Sequence, residues 1–250
     1  MLTPITLAIL GVSVLATSFL SGVFGMAGGL ILLGIFLALL DVAPAMMLHA
    51  TAQSASNAWR AAIWRGSIVW PILVRYTIAT LAVVVSMRYL AYIPDKATVY
   101  ILLGLTPFVT DLLPRHRAPD IERAGAPYVC GSLSALFQIL AGVGGPLADI
   151  FFQGSRLDRR QIIATKAATQ AVGHIFRVAY FGSFTAASNA EIPVWLLAAA
   201  VALAMGGTTL AGRLLERMTE ESFRRYSRLL IQAIGLVLLV RGGSLLAWGG

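Results

Sequence analysis

Apolar segments of membrane length occupy almost the whole chain and constrain its fold more than any other feature. Glycine, proline and charged residues divide the 250 residues into about ten such segments. In the first half they are expected at 4–24, 28–40, 44–65, 68–92 and 97–113. In the second half they are expected at 127–142, 145–155, 160–182, 192–214 and 223–246. The chain is therefore predicted to be an all-α polytopic membrane protein.

The composition supports this class. Hydrophobic residues make up 58% of the chain and charged residues 12%, whereas a soluble domain carries about 25% charged residues. The net charge of +8 comes from Lys and Arg at predicted helix ends and in short loops. Such residues orient membrane proteins and contact anionic headgroups, so membrane lipid is an expected partner and nucleic acid is not. Since Cys130 is the only cysteine, no intrachain disulfide and no thiolate metal site are expected. The sequence also has no acidic cluster for a metal, so no metal site is expected.

A glycine pair interrupts an apolar run at Gly28-Gly29, and another does so 116 positions later, at Gly144-Gly145. At this offset, residues 28–67 share seven identities with residues 144–183. Broken helices at equivalent positions of two halves are typical of transporters whose substrate site lies between inverted repeats. We therefore predict two inverted-topology repeats of about five segments each, with broken or re-entrant helices at the glycine pairs. Their expected bounds are 1–113 and 127–250, with a linker over 114–126.

Basic residues predict how the chain is oriented in the membrane. The linker contains Arg115, Arg117 and Arg123 and is expected to be cytoplasmic, because positively charged loops stay inside. The loop over 183–191 has no Lys or Arg and is expected outside. This pattern places both termini outside the cytoplasm. A further match between Gly104-Leu105 and Gly235-Leu236 fits the repeat, although two leucine-rich helices could match by composition alone.

The third segment of each half carries a polar stripe on one helical face. The two stripes have the same spacing at an offset of 117, and their members are His49, Gln53, Asn57 and Arg60 in the first half and Lys166, Gln170, His174 and Arg177 in the second. A charge at the bilayer centre costs about 2.5–3.5 kcal/mol, so these side chains are expected to face the interior. Alternatively, the side chains of Arg60 and Arg177 could snorkel to the membrane interface. The role of Gln53 and Gln170 could likewise be limited to hydrogen bonds with neighbouring helices.

The glycine pairs precede apolar helix starts, and Pro146 stands where proline favours a first helical turn. A helix N-terminus has unpaired N–H groups and a partial positive charge, so two such ends near the midplane favour a small anion. The glycines could instead serve only close helix packing. Asp149 is a candidate partner for Lys166 or Arg177, or a helix cap.

Several fragments together resemble the TauE/SafE family of sulfite and organosulfonate exporters. They are Gly22-Val-Phe-Gly-Met-Ala-Gly-Gly29, His49-Ala-Thr-Ala-Gln-Ser54, Trp64-Arg-Gly-Ser-Ile-Val-Trp70, Gly142-Val-Gly-Gly-Pro146, Asp158-Arg-Arg-Gln161, Ala164-Thr-Lys166 and Tyr180-Phe-Gly182. The resemblance covers nearly the whole chain and implies a secondary carrier of small sulfur-containing anions in a cytoplasmic-type membrane. The family usually has a proline one turn after the first glycine cluster, where this chain has Leu33-Gly34.

The predicted function is transport of sulfite, thiosulfate or an organosulfonate across the cytoplasmic (inner) membrane, without a cofactor and without enzymatic activity. A membrane-embedded enzyme and a passive anion channel are the alternatives. A homodimer is an assembly that such a chain could form. The predicted substrate-binding residues are Gly28, Gly29, Gln53, Asn57, Gly144, Gly145, Lys166, Thr169, Gln170 and Arg177. The candidate proton-coupling residues are His49, His174 and Asp149.

Overall fold

The computed structural model of the chain describes residues 3–24, 27–112, 118–187, 192–215 and 220–248. Within these ranges the regular structure is helical, with ten α-helices and a 3-10 turn at Arg65–Ser67, and no strand occurs. In the first half the helices are α1 (Pro4–Phe24), α2 (Ala27–Leu39), α3 (Val42–Ile63), α4 (Trp70–Leu90) and α5 (Lys96–Leu112). In the second half they are α6 (Ala126–Leu140), α7 (Gly145–Gln153), α8 (Arg159–Ala187), α9 (Val194–Leu215) and α10 (Glu220–Trp248).

Four helices are long and apolar enough to cross a membrane. Their apolar windows are Pro4–Ser21, Trp70–Leu90, Val194–Ala211 and Leu229–Trp248. Only 17–28% of the residues in these windows are buried inside the protein, so most of this apolar surface faces outward. Outward apolar surface on helices of this length is what a lipid environment requires. The prediction of an all-α membrane protein is therefore confirmed, with four candidate membrane spans in the described residues.

Helix α3 packs along α8 at the centre of the protein, and further helix pairs surround them. Helix α1 packs on α9, α4 on α6, and α5 on α10. The largest core cluster lies where α1, α2 and α3 meet the second half, and it includes Phe36, Met46, Tyr180 and Phe181. This packing holds the two polar stripes, which lie on α3 and α8, against each other.

Helices α2 and α7 are short, with 13 and 9 residues. At 1.5 Å per residue they are about 20 and 14 Å long, less than the ~30 Å hydrocarbon core. Helix α7 starts as expected, with a proline in its first turn. The turn before it contains Gly142 at φ +75°, a conformation that glycine adopts without strain. A Cβ on Gly142 would also lie 2.1 Å from Cδ2 of Leu33.

The linker differs from a simple polar connection. Residues 113–117 lie outside the described part of the chain, but residues 118–122 contact α7 and the loop that follows it. Ile121 is fully buried, clusters with Ile72 and Phe151, and donates its backbone N–H to the carbonyl of Phe151 over 3.2 Å. A buried apolar residue therefore ties the linker to the C-terminal end of α7.

Candidate functional site

A cavity of about 240 Å³ lies between α3, α8 and the N-terminal ends of α2 and α7. Glycines 29, 144 and 145 and Pro146 form its wall at the two short helices. Val143 and Ile231 are its apolar side chains, and the remaining lining residues are polar: Ser21, His49, Gln53, Ser56, Asn57, Arg60, Asp149, Lys166, Gln170 and His174. A cavity of this size with so many polar side chains in its wall can hold a small ion by hydrogen bonds, which a wholly apolar cavity of the same volume could not.

Gln53 and Gln170 face this cavity from opposite helices. Gln53 and Gln170 are 8% and 5% exposed, and neither Nε2 has a hydrogen-bond partner among the described residues. Each amide lies opposite the second glycine of a pair, since a Cβ on Gly29 would be 3.6 Å from Nε2 of Gln53 and one on Gly145 would be 3.6 Å from Oε1 of Gln170. Buried amide donors without partners are costly unless a ligand or water accepts from them.

The first glycine of each pair has a different environment. A Cβ on Gly28 would lie 1.9 Å from the backbone oxygen of Thr17, and one on Gly144 would lie 2.7 Å from that of Ser134. These glycines therefore permit α2 to pack on α1 and the start of α7 to pack on α6. Gly28 is not part of the cavity wall. For this residue the close-packing alternative describes the geometry, and contact with a substrate does not.

The charged residues of the cavity are not equivalent. Lys166 forms an ion pair with Asp149, and both side chains are about one-third exposed, at 33% and 30%. Arg60 also lines the cavity, and no hydrogen bond or ion pair joins its side chain to another residue in the described ranges. The pair neutralises itself, so the guanidinium of Arg60 is the cationic group that remains available to a ligand at the cavity surface.

Arg177 lies behind the cavity wall and connects the two halves. Its side chain is 1% exposed and donates to the carbonyl oxygen of Gly142 and to Nδ1 of His49. Arginine is only a donor, so Nδ1 of His49 accepts, and the proton of His49 is on Nε2, which donates to the carbonyl of Gly29 over 3.0 Å. These hydrogen bonds link Gly29, in the first turn of α2, to Gly142, in the turn before α7.

His174 faces the cavity beside this chain. Its ring centroid is 6.1 Å from that of His49, and its Nδ1 has no hydrogen-bond partner in the part of the chain that the structure describes. An imidazole with a free nitrogen in a polar cavity can accept or release a proton. In the described residues, no cluster of three His, Cys, Asp or Glu side chains could hold a metal ion.

The structure brings together most residues that the sequence analysis selected. The cavity wall contains Gly29, Gln53, Asn57, Gly144, Gly145, Lys166 and Gln170, with His49, His174 and Asp149. Gly28, Thr169 and Arg177 lie outside it, and the hydroxyl of Thr169 donates to the carbonyl of Lys166 on its own helix. Arg60 was identified in the stripe but not selected as a binding residue. The repeat could have selected it, because it is the equivalent of Arg177.

Both arginines of the stripes lie at the cavity, Arg60 in its wall and Arg177 bonded to the wall residue His49. The expected end of α8 was residue 182, but the helix continues to Ala187, so Arg177 is ten residues from the end. Gly182 does not end the helix because a single interior glycine costs only about 1 kcal/mol. Asp149, which the sequence could not assign to Lys166 or Arg177, pairs with Lys166.

Comparison with known proteins identifies the family. No curated protein and no solved structure matches this chain. The family described as Sulfite exporter TauE/SafE matches residues 9–238, which is most of the chain. The match includes both short helices, both polar stripes and the cavity between them. The resemblance found in the sequence is confirmed, and this integral membrane protein belongs to the TauE/SafE sulfite exporter family, a family of transporters.

Proposed function

We propose that this protein is a secondary carrier that moves a small sulfur-containing anion, such as sulfite, thiosulfate or an organosulfonate, across the cytoplasmic membrane. The observation that carries this proposal is the pair of unpartnered amide donors, Gln53 and Gln170, facing one cavity beside the free cation of Arg60. Oxyanions accept several hydrogen bonds at once, and bonds to a charged group are stronger than neutral ones. The N-terminal turn of α7 adds donors and a favourable dipole at the same cavity.

We further propose that residues 1–113 and 127–250 are inverted repeats joined by residues 114–126. Exchanging α1–α5 with α6–α10 converts the packing of α1 on α9 into that of α6 on α4, and both packings occur. The same exchange relates α3–α9 to α8–α4, and α2–α3 to α7–α8, which also occur. Packing that survives this exchange supports two structurally equivalent halves.

Two helix pairs each join a helix to its own equivalent in the other half. This is expected for helices that face each other across a pseudo-two-fold axis. They are α3 with α8 and α5 with α10. In the second pair, a Cβ on Gly104 would lie 2.8 Å from the carbonyl oxygen of Gly235, and one on Gly235 would lie 2.9 Å from that of Gly104. This reciprocal contact supports the equivalence of Gly104 and Gly235 in the repeat.

In this mechanism the cavity opens to one side of the membrane at a time as the halves rock around the bound anion. The short helices α2 and α7 form one end of the cavity, and the bonds from Arg177 to Gly142 and His49 hold the two breaks together. His174, with a free ring nitrogen beside the anion, is the best placed proton-coupling group. His49 and Asp149 are the other two candidates, and both already have partners.

Transport by the purified protein in liposomes tests the proposal. Sulfite, thiosulfate, sulfoacetate and taurine serve as substrates. A carrier shows uptake that saturates and exchanges labelled for unlabelled substrate in counterflow. Continuous conductance would replace the proposal with a passive channel, and chemical conversion of a substrate would replace it with an enzyme.

Variants of the amide pair test the site itself. Gln53→Met and Gln170→Met keep the side-chain length but remove the donors, so each is expected to weaken anion binding by about 1.5–3 kcal/mol, the value of a hydrogen bond to a charged group. Gln138→Met is the matched control, because Gln138 is a buried glutamine outside the cavity wall. Calorimetry on the three purified variants measures the effect. Equal affinity in all three would remove the amides from the site.

A further inference from the structure

The charges around the cavity do not cancel. Lys166 and Asp149 neutralise each other as an ion pair. Arg60, at the cavity surface, and Arg177, behind the wall, have no carboxylate within ion-pair distance in the described part of the chain. The groups that Arg177 contacts, Gly142 and His49, are neutral acceptors. Two positive charges are therefore left without a counter-charge from the described residues.

Both charges act on a ligand in the cavity. Arg60 lines the wall directly, and Arg177 bonds to His49, which also lines the wall. Arg177 is 1% exposed, so water screens its charge poorly. Uncompensated charges in a poorly hydrated interior are unfavourable. A ligand with two negative charges neutralises both arginines, so it is favoured over a ligand with one negative charge.

We propose that the cavity selects anions by valence and prefers a dianion, such as thiosulfate or fully deprotonated sulfite, to a monoanion of the same shape. Asp149 sets this preference, because it cancels the charge of Lys166 and so leaves two positive charges in place of three. Arg60 supplies the charge that the anion contacts. This inference rests on the proposed function, since it specifies the substrate of the same cavity.

Coulomb attraction scales with the charge of the ligand, and this scaling gives the proposal a quantitative form. A variant that removes one positive charge should lower the binding affinity for both kinds of anion. The factor for the dianion should be the square of the factor for the monoanion. If Arg60→Gln weakens binding of the monoanion about tenfold, it should weaken binding of the dianion about a hundredfold. Asp149→Asn frees the charge of Lys166 and should shift the preference about tenfold in the opposite direction.

Thiosulfate and methanesulfonate are suitable probes, because both carry one SO₃ group and differ mainly in a terminal sulfur against a methyl group. Dissociation constants are measured at pH 7 on the purified full-length protein. The variants are Arg60→Gln, Asp149→Asn and the charge-conserving Arg60→Lys. Arg156→Gln is the control, because Arg156 is exposed in the loop before α8 and does not line the cavity.

The unmodified protein is expected to bind thiosulfate more tightly than methanesulfonate. The ratio of the two affinities, thiosulfate over methanesulfonate, should fall in Arg60→Gln and rise in Asp149→Asn. It should stay unchanged in Arg60→Lys and Arg156→Gln. Equal binding of the two probes, or a ratio that neither charge change shifts, would overturn the valence selection while leaving the anion carrier intact. Binding of neither probe would overturn the proposed function together with this inference. Should Arg60→Gln fail to fold, the rise expected in Asp149→Asn still decides the question.

Discussion

Adjacent glycines at the start of α2 have separate roles that a pair of small substitutions can distinguish. Gly28→Ala places a methyl group against the backbone of α1. The free energy of unfolding is therefore expected to fall by about 1–3 kcal/mol or more, as is typical of overpacking. Gly29→Ala makes only an ordinary contact with Gln53 and should keep its stability, but its methyl group narrows the cavity and weakens substrate binding. Thermal unfolding and calorimetry measure the two effects.

Gly145→Ala serves as the matched variant in the second half, since its Cβ would also lie 3.6 Å from a cavity glutamine. It is expected to behave like Gly29→Ala. A stable Gly28→Ala protein with normal binding would contradict the packing role of Gly28.

The two basic residues of the second stripe are expected to fail in different ways. Arg177→Gln leaves the buried acceptors on Gly142 and His49 without their donor, at a cost of about 1–3 kcal/mol per unpaired group. Lys166→Gln breaks a partly exposed ion pair, which contributes little to stability, but leaves the carboxylate of Asp149 facing an anionic substrate. The melting temperature should therefore fall more in Arg177→Gln. Lys166→Gln should lose substrate affinity with nearly unchanged melting, and the opposite order of melting temperatures would reject this assignment.

At the scale of elements, the start of α5 is held by a side-chain cap. Asp95 accepts from the backbone N–H of Thr98 over 2.9 Å and from its hydroxyl over 2.6 Å. Such a cap contributes about 1 kcal/mol, so Asp95→Ala is expected to lower the melting temperature at neutral pH. The hydrogen bonds from Thr98 lower the pKa of Asp95 below its usual value.

The sign of the pH dependence follows from that lowered pKa. A carboxylate with a lower pKa in the folded state stabilises the protein above its unfolded pKa, and this contribution is lost as the pH falls through the folded pKa. The difference in melting temperature between the unmodified protein and Asp95→Ala should therefore shrink in acid. Asp95→Asn keeps a capping side chain without the charge and is the control. A difference that persists at low pH would show that the charge of Asp95 does not matter.

Helices α5 and α10 contact each other at Gly104 and Gly235, which the sequence matched as equivalent positions of the repeat without indicating that they touch. The match between Gly104 and Gly235 could have come from composition alone. In the structure, each glycine lies against the backbone of the other, closer than a side chain would permit. Small residues at such a crossing let two membrane helices approach closely.

For the whole molecule, the basic loops predict that both termini lie outside the cytoplasm and that the linker lies inside. With Cys130 replaced by alanine, single cysteines near either terminus are expected to react with a membrane-impermeant maleimide in intact cells. Arg123→Cys in the linker is expected to react only after the membrane is opened. Termini found on opposite faces would end the inverted-repeat proposal.

The sequence by itself determined the class of this protein, its helical segments and the two polar stripes. These features are local, because apolar length and helical periodicity act within a single segment. The ten helices begin and end within a few residues of the expected positions, apart from the longer α8. The family resemblance had the same basis, in short motifs such as the two glycine pairs.

The tertiary structure decided which residues of each stripe face the cavity. Arg60 and Arg177 hold equivalent sequence positions, yet Arg60 lines the cavity while Arg177 bonds to His49, 128 residues away in the chain. Gly28 and Gly29 are neighbours, but one touches α1 and the other faces Gln53. These differences arise from how each helix is rotated against partners distant in sequence. Periodicity along one segment indicates which face points inward but does not fix which residues of that face meet a given partner.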